Sequence, residues 1–242
     1  MNSAADLGNT PVPSLVLRLA VPAMIAQFVN VLYSIIDRMY IGHIPETGAT
    51  ALAGVGVCGP IVTLLSSFGT LVGIGGSILF GIRLGEKNTE KARQILANSF
   101  LLLTCFSLIL TVVFLLSKDS LLMWFGASDI TFPYADTYLT IYTAGTFFAL
   151  MAVGLNYFIN SQGFPLVGMA TVLIGAVCNI ALDPLFIFVF DMGVAGAAVA
   201  TVLSQMASCC FALAFLFGRR VPVRITFGGY EPRLMLRILY LG

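Results

Sequence analysis

The feature that constrains this chain most is the length of its uncharged stretches. No Asp, Glu, Lys or Arg occurs in residues 47–82, 94–117 or 137–182. A helix needs about 20 apolar residues to cross the hydrocarbon core of a bilayer, and the last stretch is long enough for two. Only 10% of all residues are charged, whereas soluble domains average roughly 25%. The sequence therefore predicts an all-α integral membrane protein.

Six apolar segments are separated by loops that carry charged or turn-forming residues. Their approximate limits are 14–41, 50–82, 92–117, 132–160, 165–190 and 193–217. We expect a six-helix lobe over residues 1–218, followed by a cytoplasmic linker and the start of a second lobe over 219–242. Asn88 has the side chain of a helix N-terminus leading into the third segment. Pro22 and Pro60 lie inside segments, where proline predicts a kink.

The distribution of Lys and Arg predicts the orientation. Basic residues follow the second and sixth segments, whereas the opposite side offers Lys118 and little else. They are Arg83, Lys87, Lys91 and Arg93 in one loop and Arg219, Arg220, Arg224, Arg233 and Arg237 in the tail. Positive loops stay in the cytoplasm, so we expect a multi-pass protein of the plasma (inner) membrane with both ends of this chain cytoplasmic. Residues 1–13 lack the basic start of a signal peptide.

A short repeat links the two ends of the chain. Pro232-Arg-Leu-Met-Leu-Arg-Ile-Leu echoes Pro13-Ser-Leu-Val-Leu-Arg-Leu-Ala, which leads directly into the first segment. Internal repeats are common in transporters. We therefore expect the second copy to begin another helix and the chain to be half of a longer protein. The alternative is chance similarity between two amphipathic stretches.

Two carboxylates fall inside apolar segments, where ionisable groups are costly and usually functional. Asp37 and Asp183 both come late in segments that run outward, so we expect them at similar depth in the outer half of the bilayer. Asn179 lies one helical turn before Asp183. Arg38 points away from Asp37 on a helix, and we expect it to reach the outer interface.

Polar and aromatic seams on four segments predict a central cavity. Gln27, Asn30 and Ser34 share the Asp37 face at 3-4-3 spacing, and further seams contain Tyr138, Asn156, Thr201, Ser204, Gln205 and Ser208. The alternative is that such side chains only form hydrogen bonds across packed helices. We favour that alternative for the serines and threonines, and a functional role for the two carboxylates.

A carboxylate in a cavity of low dielectric can take up a proton, Na⁺ or an organic cation, because desolvation disfavours its bare charge. Competition for one negative site would couple the movement of these cations. We expect no cofactor, and no metal other than Na⁺ as a coupling ion.

Several other classes of protein are excluded. The net charge is +1 without a clustered basic face, so we expect no nucleic-acid partner. The chain has no HExxH, GxSxG or Walker A motif, and we predict that it is not an enzyme. Residues 54–59 match G-x-G-x-x-G, but they lie in an apolar segment rather than after a strand. The five cysteines lie in apolar segments and have no metal-ligand spacing.

Particular motifs resemble those of multidrug and toxic compound extrusion (MATE) transporters. Val21-Pro22, Asp37-Arg-Met-Tyr-Ile-Gly42 and Ala51-Leu-Ala-Gly-Val-Gly56 are similar to the opening of that family. Gly175-Ala-Val-Cys-Asn179-Ile-Ala-Leu-Asp183-Pro184 and Gly193-Val-Ala-Gly-Ala-Ala198 resemble its fifth and sixth helices. The stretch 156–163 is similar to the MepA-like bacterial branch. The resemblance covers essentially the whole chain, in order.

This resemblance implies two six-helix lobes, with this chain as the N-terminal lobe and the second lobe in the same full-length chain. It also implies efflux of organic cations in exchange for H⁺ or Na⁺. The family's cation site falls here on Asp37, Asn179, Asp183 and Thr201. Pro22 and Tyr138 match positions linked to the same cavity. Arg38 departs from the small or polar residue that usually follows this aspartate.

Two other functions remain open from the sequence. A lipid-linked saccharide flippase of the same superfamily would favour basic residues in its cavity, to bind an anionic pyrophosphate. A non-transporting membrane assembly component would tolerate neutralisation of Asp37 and Asp183.

Overall fold

The structure, a computed structural model, describes residues 12–219 and 221–242, and these fold into helices joined by short loops. The polar start of the chain through residue 11 and Arg220 of the basic tail lie outside the described residues. The helices are α1 (Val12–Gly42), α2 (Gly48–Gly85), α3 (Thr89–Trp124), α4 (Phe132–Ala144), α5 (Thr146–Ser161), α6 (Pro165–Pro184), α7 (Gly193–Phe217) and α8 (Pro232–Leu241).

Six membrane crossings account for the first seven helices. Five helices of the described chain are long and apolar enough to span a bilayer, and α4 with α5 passes the same test as a bent pair. The predicted all-α membrane fold with six spans is therefore confirmed. The predicted helix start also appears, because the Asn88 side chain accepts a hydrogen bond from the Lys91 amide at the N-terminus of α3.

The fourth predicted segment is not one straight helix. Its chain bends by 58° at Gly145, between α4 and α5. The bend exposes the Thr143 carbonyl, which accepts hydrogen bonds from the hydroxyls of Thr146 (2.7 Å) and Thr111 (3.3 Å). Pro22 and Pro60, in contrast, lie inside single unbroken helices. The prolines therefore do not mark the position of the break. The helix breaks at Gly145 instead, where threonine hydroxyls replace a backbone hydrogen bond to the Thr143 carbonyl.

A second irregularity follows α6 directly. Residues Leu185–Val189 form a π-helical turn, closed by a bond of 2.9 Å from the Phe190 amide to the Leu185 carbonyl. The missing amide hydrogen of Pro184 deprives the Ile180 carbonyl of its helical partner one turn earlier, and the π turn begins at the next residue, Leu185. The fifth span thus changes geometry two residues after Asp183. Such π turns are frequent at functional sites.

The third helix continues beyond its predicted end at residue 117, through Trp124. Lys118, which the sequence assigned to a loop, lies on α3, and its side chain pairs with the Asp136 carboxylate of α4. Its ammonium also donates to the Thr140 hydroxyl over 3.0 Å. Because the pairing compensates both charges, the helix extends past the lysine. Sequence reasoning missed Asp136 as an ionisable group inside the fourth segment.

Glycines of α2 allow close approach by neighbouring helices. A Cβ added at Gly54 would lie 2.8 Å from the Thr131 carbonyl oxygen at the start of α4, and one at Gly76 would lie 2.5 Å from the Phe158 ring. Gly56 and Gly59 have nothing within 4 Å of the corresponding position. The G-x-G-x-x-G match is thus an internal part of a packed helix, and only its first glycine is needed for packing.

We expect Gly54→Ala to destabilise the fold by about 1–3 kcal/mol, because backbone atoms of α4 must move to admit the methyl group. Gly56→Ala is the matched control, two residues away on the same helix, and should leave stability unchanged or slightly raised. Thermal unfolding in detergent measures both variants. Equal shifts in Tm would contradict the packing argument.

Candidate cation and substrate site

The two predicted membrane carboxylates meet in the structure. Asp37 of α1 is 9% exposed and Asp183 of α6 is fully buried. Helix α1 packs against α6, and the two carboxyl groups are close enough to interact electrostatically. Two negative charges at such a distance in a medium of low dielectric repel strongly. Such a pair is chemically suited to share a proton or to hold a cation.

Asn179 joins this carboxyl pair to the next helix. Its side-chain Nδ2 donates to Asp183 Oδ1 (3.2 Å) and to Thr201 Oγ1 (3.4 Å) on α7. The Thr201 hydroxyl itself donates to the Ala197 carbonyl over 2.9 Å. With its proton committed there, Thr201 acts toward Asn179 as an acceptor. The four residues that the resemblance assigned to a cation site therefore lie together.

Three oxygen atoms of this group are buried without a hydrogen-bond partner among the described residues. They are Asp37 Oδ1, Asn179 Oδ1 and Asp183 Oδ2. An unsatisfied buried polar atom costs about 1–3 kcal/mol. Carboxylate and amide oxygens are the ligands that hard cations prefer. The donor set therefore fits Na⁺, and a proton on either carboxyl would also relieve the deficit.

A cavity of about 590 Å³ opens beside this group. Helices α1, α2 and α4 to α7 all contribute to its wall, and every lining residue is uncharged. Tyr33, Tyr142 and Tyr157 are among the lining residues, together with amide and hydroxyl side chains. The wall thus combines aromatic surface with neutral hydrogen-bonding groups.

The structure places most of the predicted cavity residues in this wall, namely Gln27, Asn30, Asn156, Asn179, Thr201 and Gln205. Pro22, Ser34 and Tyr138 lie outside it. On α1 the wall follows Ala23, Gln27 and Asn30, and the larger Tyr33 takes the place expected for Ser34.

Tyr138 is excluded because another tyrosine lies in front of it. It is buried against Tyr142, with ring centroids 6.2 Å apart and planes 14° from parallel. Tyr142 reaches the cavity, and its hydroxyl accepts a hydrogen bond from Gln205 Nε2 over 3.2 Å. Tyr138 therefore supports the wall from behind.

Sequence reasoning missed several wall residues, including Tyr33, Ser66, Thr70, Tyr157 and Asn160. Ser66 and Thr70 are one helical turn apart on α2, which is a polar signal in an otherwise apolar segment. Asn160 donates to the Asn156 carbonyl oxygen (2.8 Å), and Asn156 donates to the Gly168 carbonyl (2.8 Å). These bonds fix the corner between α5 and α6.

The carboxyl pair and the cavity are separate but connected. Asp37 and Asp183 are not among the lining residues, whereas Asn179 and Thr201 are. The expected direct competition of a drug and a coupling ion for one negative site therefore does not fit this geometry. Among the residues predicted for the cation site, Asn179 and Thr201 are the ones that line the cavity.

Comparison with known proteins identifies the class of this fold and site. A profile of the MatE family matches residues 22–185, so the chain belongs to the MatE family, whose members are transporters. The multidrug export protein MepA of Staphylococcus aureus is 27% identical over 236 residues, which cover 97% of this chain and 52% of that protein. MepA of Staphylococcus saprophyticus is 28% identical over 225 residues.

Solved structures agree with this assignment. A multidrug resistance MATE transporter of the MOP superfamily in an outward-facing conformation superimposes with a TM-score of 0.90 and 26% identity, over 100% of this chain and 54% of that one. A MOP superfamily transporter from Pyrococcus furiosus gives a TM-score of 0.90 at 27% identity, with the same coverage. This chain spans about half the length of the relatives it matches.

We expect a cysteine at Ser66 to react with a water-soluble maleimide, because this side chain lines the cavity. The comparison is native Cys105, which is exposed on α3 near Leu108 and Ile109 and should be shielded by lipid. Each is tested as the single cysteine of a variant in liposomes. If Ser66→Cys did not react and Cys105 did, the cavity at Ser66 would not be accessible to water and the assignment of the two faces would be wrong.

Proposed function

We propose that this chain forms the cation-coupled part of an efflux transporter that exports organic cations in exchange for H⁺ or Na⁺. The observation that carries the proposal is the buried pair of Asp37 and Asp183, which is hydrogen-bonded through Asn179 to the wall of an uncharged cavity. Cation-coupled export requires a group that can change its charge by binding an ion, and a nearby cavity that can hold the substrate. The carboxyl pair and the adjoining cavity meet these two requirements.

The cavity supports an organic cation as substrate. Its volume lies within the range of about 300–1,000 Å³ that is usual for small-molecule sites. Tyrosine faces attract cations by about 0.5–2 kcal/mol each, and Tyr33, Tyr142 and Tyr157 line the space. The lining residues include no Lys or Arg, so an anionic pyrophosphate finds no charge partner. The cationic substrate is therefore favoured over a lipid-linked saccharide.

Coupling in this proposal runs through Asn179. When Asp183 Oδ1 carries a negative charge, it is a strong acceptor for the Asn179 amide. A proton or Na⁺ bound at the carboxyl pair weakens this bond and frees the amide to turn toward the cavity while it stays bonded to Thr201. The shape and polarity of the cavity wall then change with the ion. Ion and substrate thereby influence each other's affinity, and the effect is reciprocal.

Alternating access would require a second helical lobe that closes the open side of this one, as expected for a transporter built from repeats. The basic residues after the second and sixth spans favour a cytoplasmic location for both ends of the described chain. We place the full-length protein in the plasma (inner) membrane on this basis.

We expect Asp37→Asn and Asp183→Asn each to reduce efflux of a fluorescent organic cation at least tenfold, because a neutral amide cannot exchange its charge with a coupling ion. Efflux is measured in cells that express the complete open reading frame containing this chain, at matched membrane levels. Asp191→Asn is the control. This residue lies in the loop before α7 with φ of +51°, a conformation that asparagine tolerates.

Two outcomes would overturn the proposal. The first is absence of efflux from the unmodified protein. The second is full efflux from both carboxylate variants, which would favour a non-transporting membrane component instead.

We further expect Thr201→Val to uncouple ion from substrate. Valine keeps the shape of threonine but cannot accept the Asn179 hydrogen bond. The affinity of the purified full-length protein for a fluorescent cation is measured at pH 6 and pH 8, with and without Na⁺. The ion-dependent ratio, typically about 5–150-fold in coupled systems, should fall toward one.

The control is Ser204→Ala. The Ser204 hydroxyl bonds to the Ala200 carbonyl of its own helix, so its removal should keep the ratio. Equal ratios in all three proteins would contradict coupling through Asn179.

A further inference from the structure

The segment between α7 and α8, Val221–Glu231, is attached to the bundle along its length, and we call it the strap. Val221, Val223 and Ile225 are buried at alternate positions, whereas Pro222 and Arg224 between them are exposed. The Ile225 amide donates to the Leu216 carbonyl at the end of α7 over 3.2 Å. A flexible tether would be rich in glycine and serine, and this strap instead buries an apolar edge.

Asn98 of α3 fixes the end of the strap. It is fully buried, and besides a bond to the Gln94 carbonyl of its own helix its side chain makes two bonds to the strap. Nδ2 donates to the Gly229 carbonyl (3.1 Å), and Oδ1 accepts from the Glu231 amide (2.9 Å). Gln94, one turn earlier, also donates to the Gly229 carbonyl over 3.0 Å. This geometry specifies one position of the strap relative to α3.

Gln162 fixes the beginning of the strap. This fully buried residue follows the last turn of α5, and its Oε1 accepts the Val223 amide over 3.0 Å. Between the two anchors, the Phe227 ring packs edge-on against Phe100 of α3, at a centroid distance of 6.0 Å. Two different helices therefore hold the two ends of one short segment.

Helix α8 continues this attachment. Ile238 is fully buried, and its carbonyl packs directly against the backbone of α2 at Gly75, where no side chain would fit. The strap and α8 thus have fixed positions on α2, α3 and α5. The sequence predicted a linker and the start of another helix here, but not their attachment to the bundle.

Gln162 also connects the strap to the cavity. It lies two residues after Asn160, and Asn160 and Asn156 line the cavity on the same helix, α5. A displacement of the corner between α5 and α6 by a bound substrate would act on the Val223 amide through Gln162. A buried backbone amide without a hydrogen-bond partner is costly. The bond from the Val223 amide to Gln162 therefore favours one position of the strap relative to α5.

We propose that the strap transmits movement of the cavity wall to α8, with Asn98 and Gln162 as positioning residues for transport. This inference rests on the proposed function, in which a second helical lobe follows α8. The strap and α8 move as one body with α3 and α5, so rearrangement of the cavity displaces whatever follows α8 by a defined amount.

The first arm of the test is hydrogen–deuterium exchange on the full-length protein in nanodiscs. Asn98→Leu removes both strap bonds at similar size, and exchange at Glu231 and its neighbours should rise about tenfold. Gln162→Leu should do the same at Val223. Its other side-chain atom, Nε2, has no hydrogen-bond partner in the described structure, so this variant keeps the test open if Asn98→Leu folds poorly. Thr104→Val on α3 loses only a bond to the Phe100 carbonyl of its own helix and should leave strap exchange unchanged.

The second arm is efflux of a fluorescent organic cation. Both strap variants should lower kcat at least about fivefold and leave KM within twofold of the unmodified protein, while Thr104→Val changes neither.

Unchanged exchange in both variants would show that the amides do not hold the strap. Faster exchange with unchanged kcat would reduce the strap to a structural element, and either result overturns the inference. Absence of efflux from the unmodified protein would instead defeat the proposed function and the transmission role with it, and the exchange data would still decide whether the amides anchor the strap.

Discussion

The bilayer offers no water to a buried polar group, and this constraint governs the rest of the structure. Every backbone amide and carbonyl within the spans needs a partner from the protein itself. Where α4 and α5 break at Gly145, the Thr146 and Thr111 hydroxyls bond to the freed Thr143 carbonyl. Where the regular helix α6 ends at Pro184, a π-helical turn continues the backbone hydrogen bonding. The irregular points of the fold are thus stabilised by hydrogen bonds rather than left to solvent.

Unsatisfied buried atoms are concentrated at the site. Of the seven buried side-chain atoms without a partner among the described residues, three belong to Asp37, Asn179 and Asp183, and Gln205 of the cavity wall adds a fourth. The ionisable groups lie behind the cavity wall, and neutral amides stand between them and a bound molecule. In the proposed function, this separation of the carboxyl pair from the cavity allows an ion and a substrate to be desolvated independently, with Asn179 as the connection.

Much of the fold could be predicted because each segment that crosses the lipid must be long, apolar and almost free of charge. Uncharged stretches located the spans, and the spacing of Asn179, Asp183 and the α1 polar face indicated the site. The bend at Gly145 could not be predicted, because one of the two hydroxyls that bond to the freed Thr143 carbonyl comes from Thr111 in a different helix. Lys118 was assigned to a loop because Asp136, the partner that stabilises it within α3, is distant in sequence. Tyr138 and Ser34 were placed in the wall because helical phase does not reveal which of two neighbours is in front.

The sequence by itself determined that this is a six-span membrane protein of the MatE family and which carboxylates are out of place in lipid, because the cost of charge in hydrocarbon is local to each residue. Only the tertiary structure decided that Asp37 and Asp183 lie close together on packed helices, that they are not among the residues lining the cavity, and that Val221–Glu231 is attached to α3 and α5. Those properties depend on distances between residues far apart in the chain, such as Asn98 and Glu231. Helix packing sets these distances, and no local pattern records them.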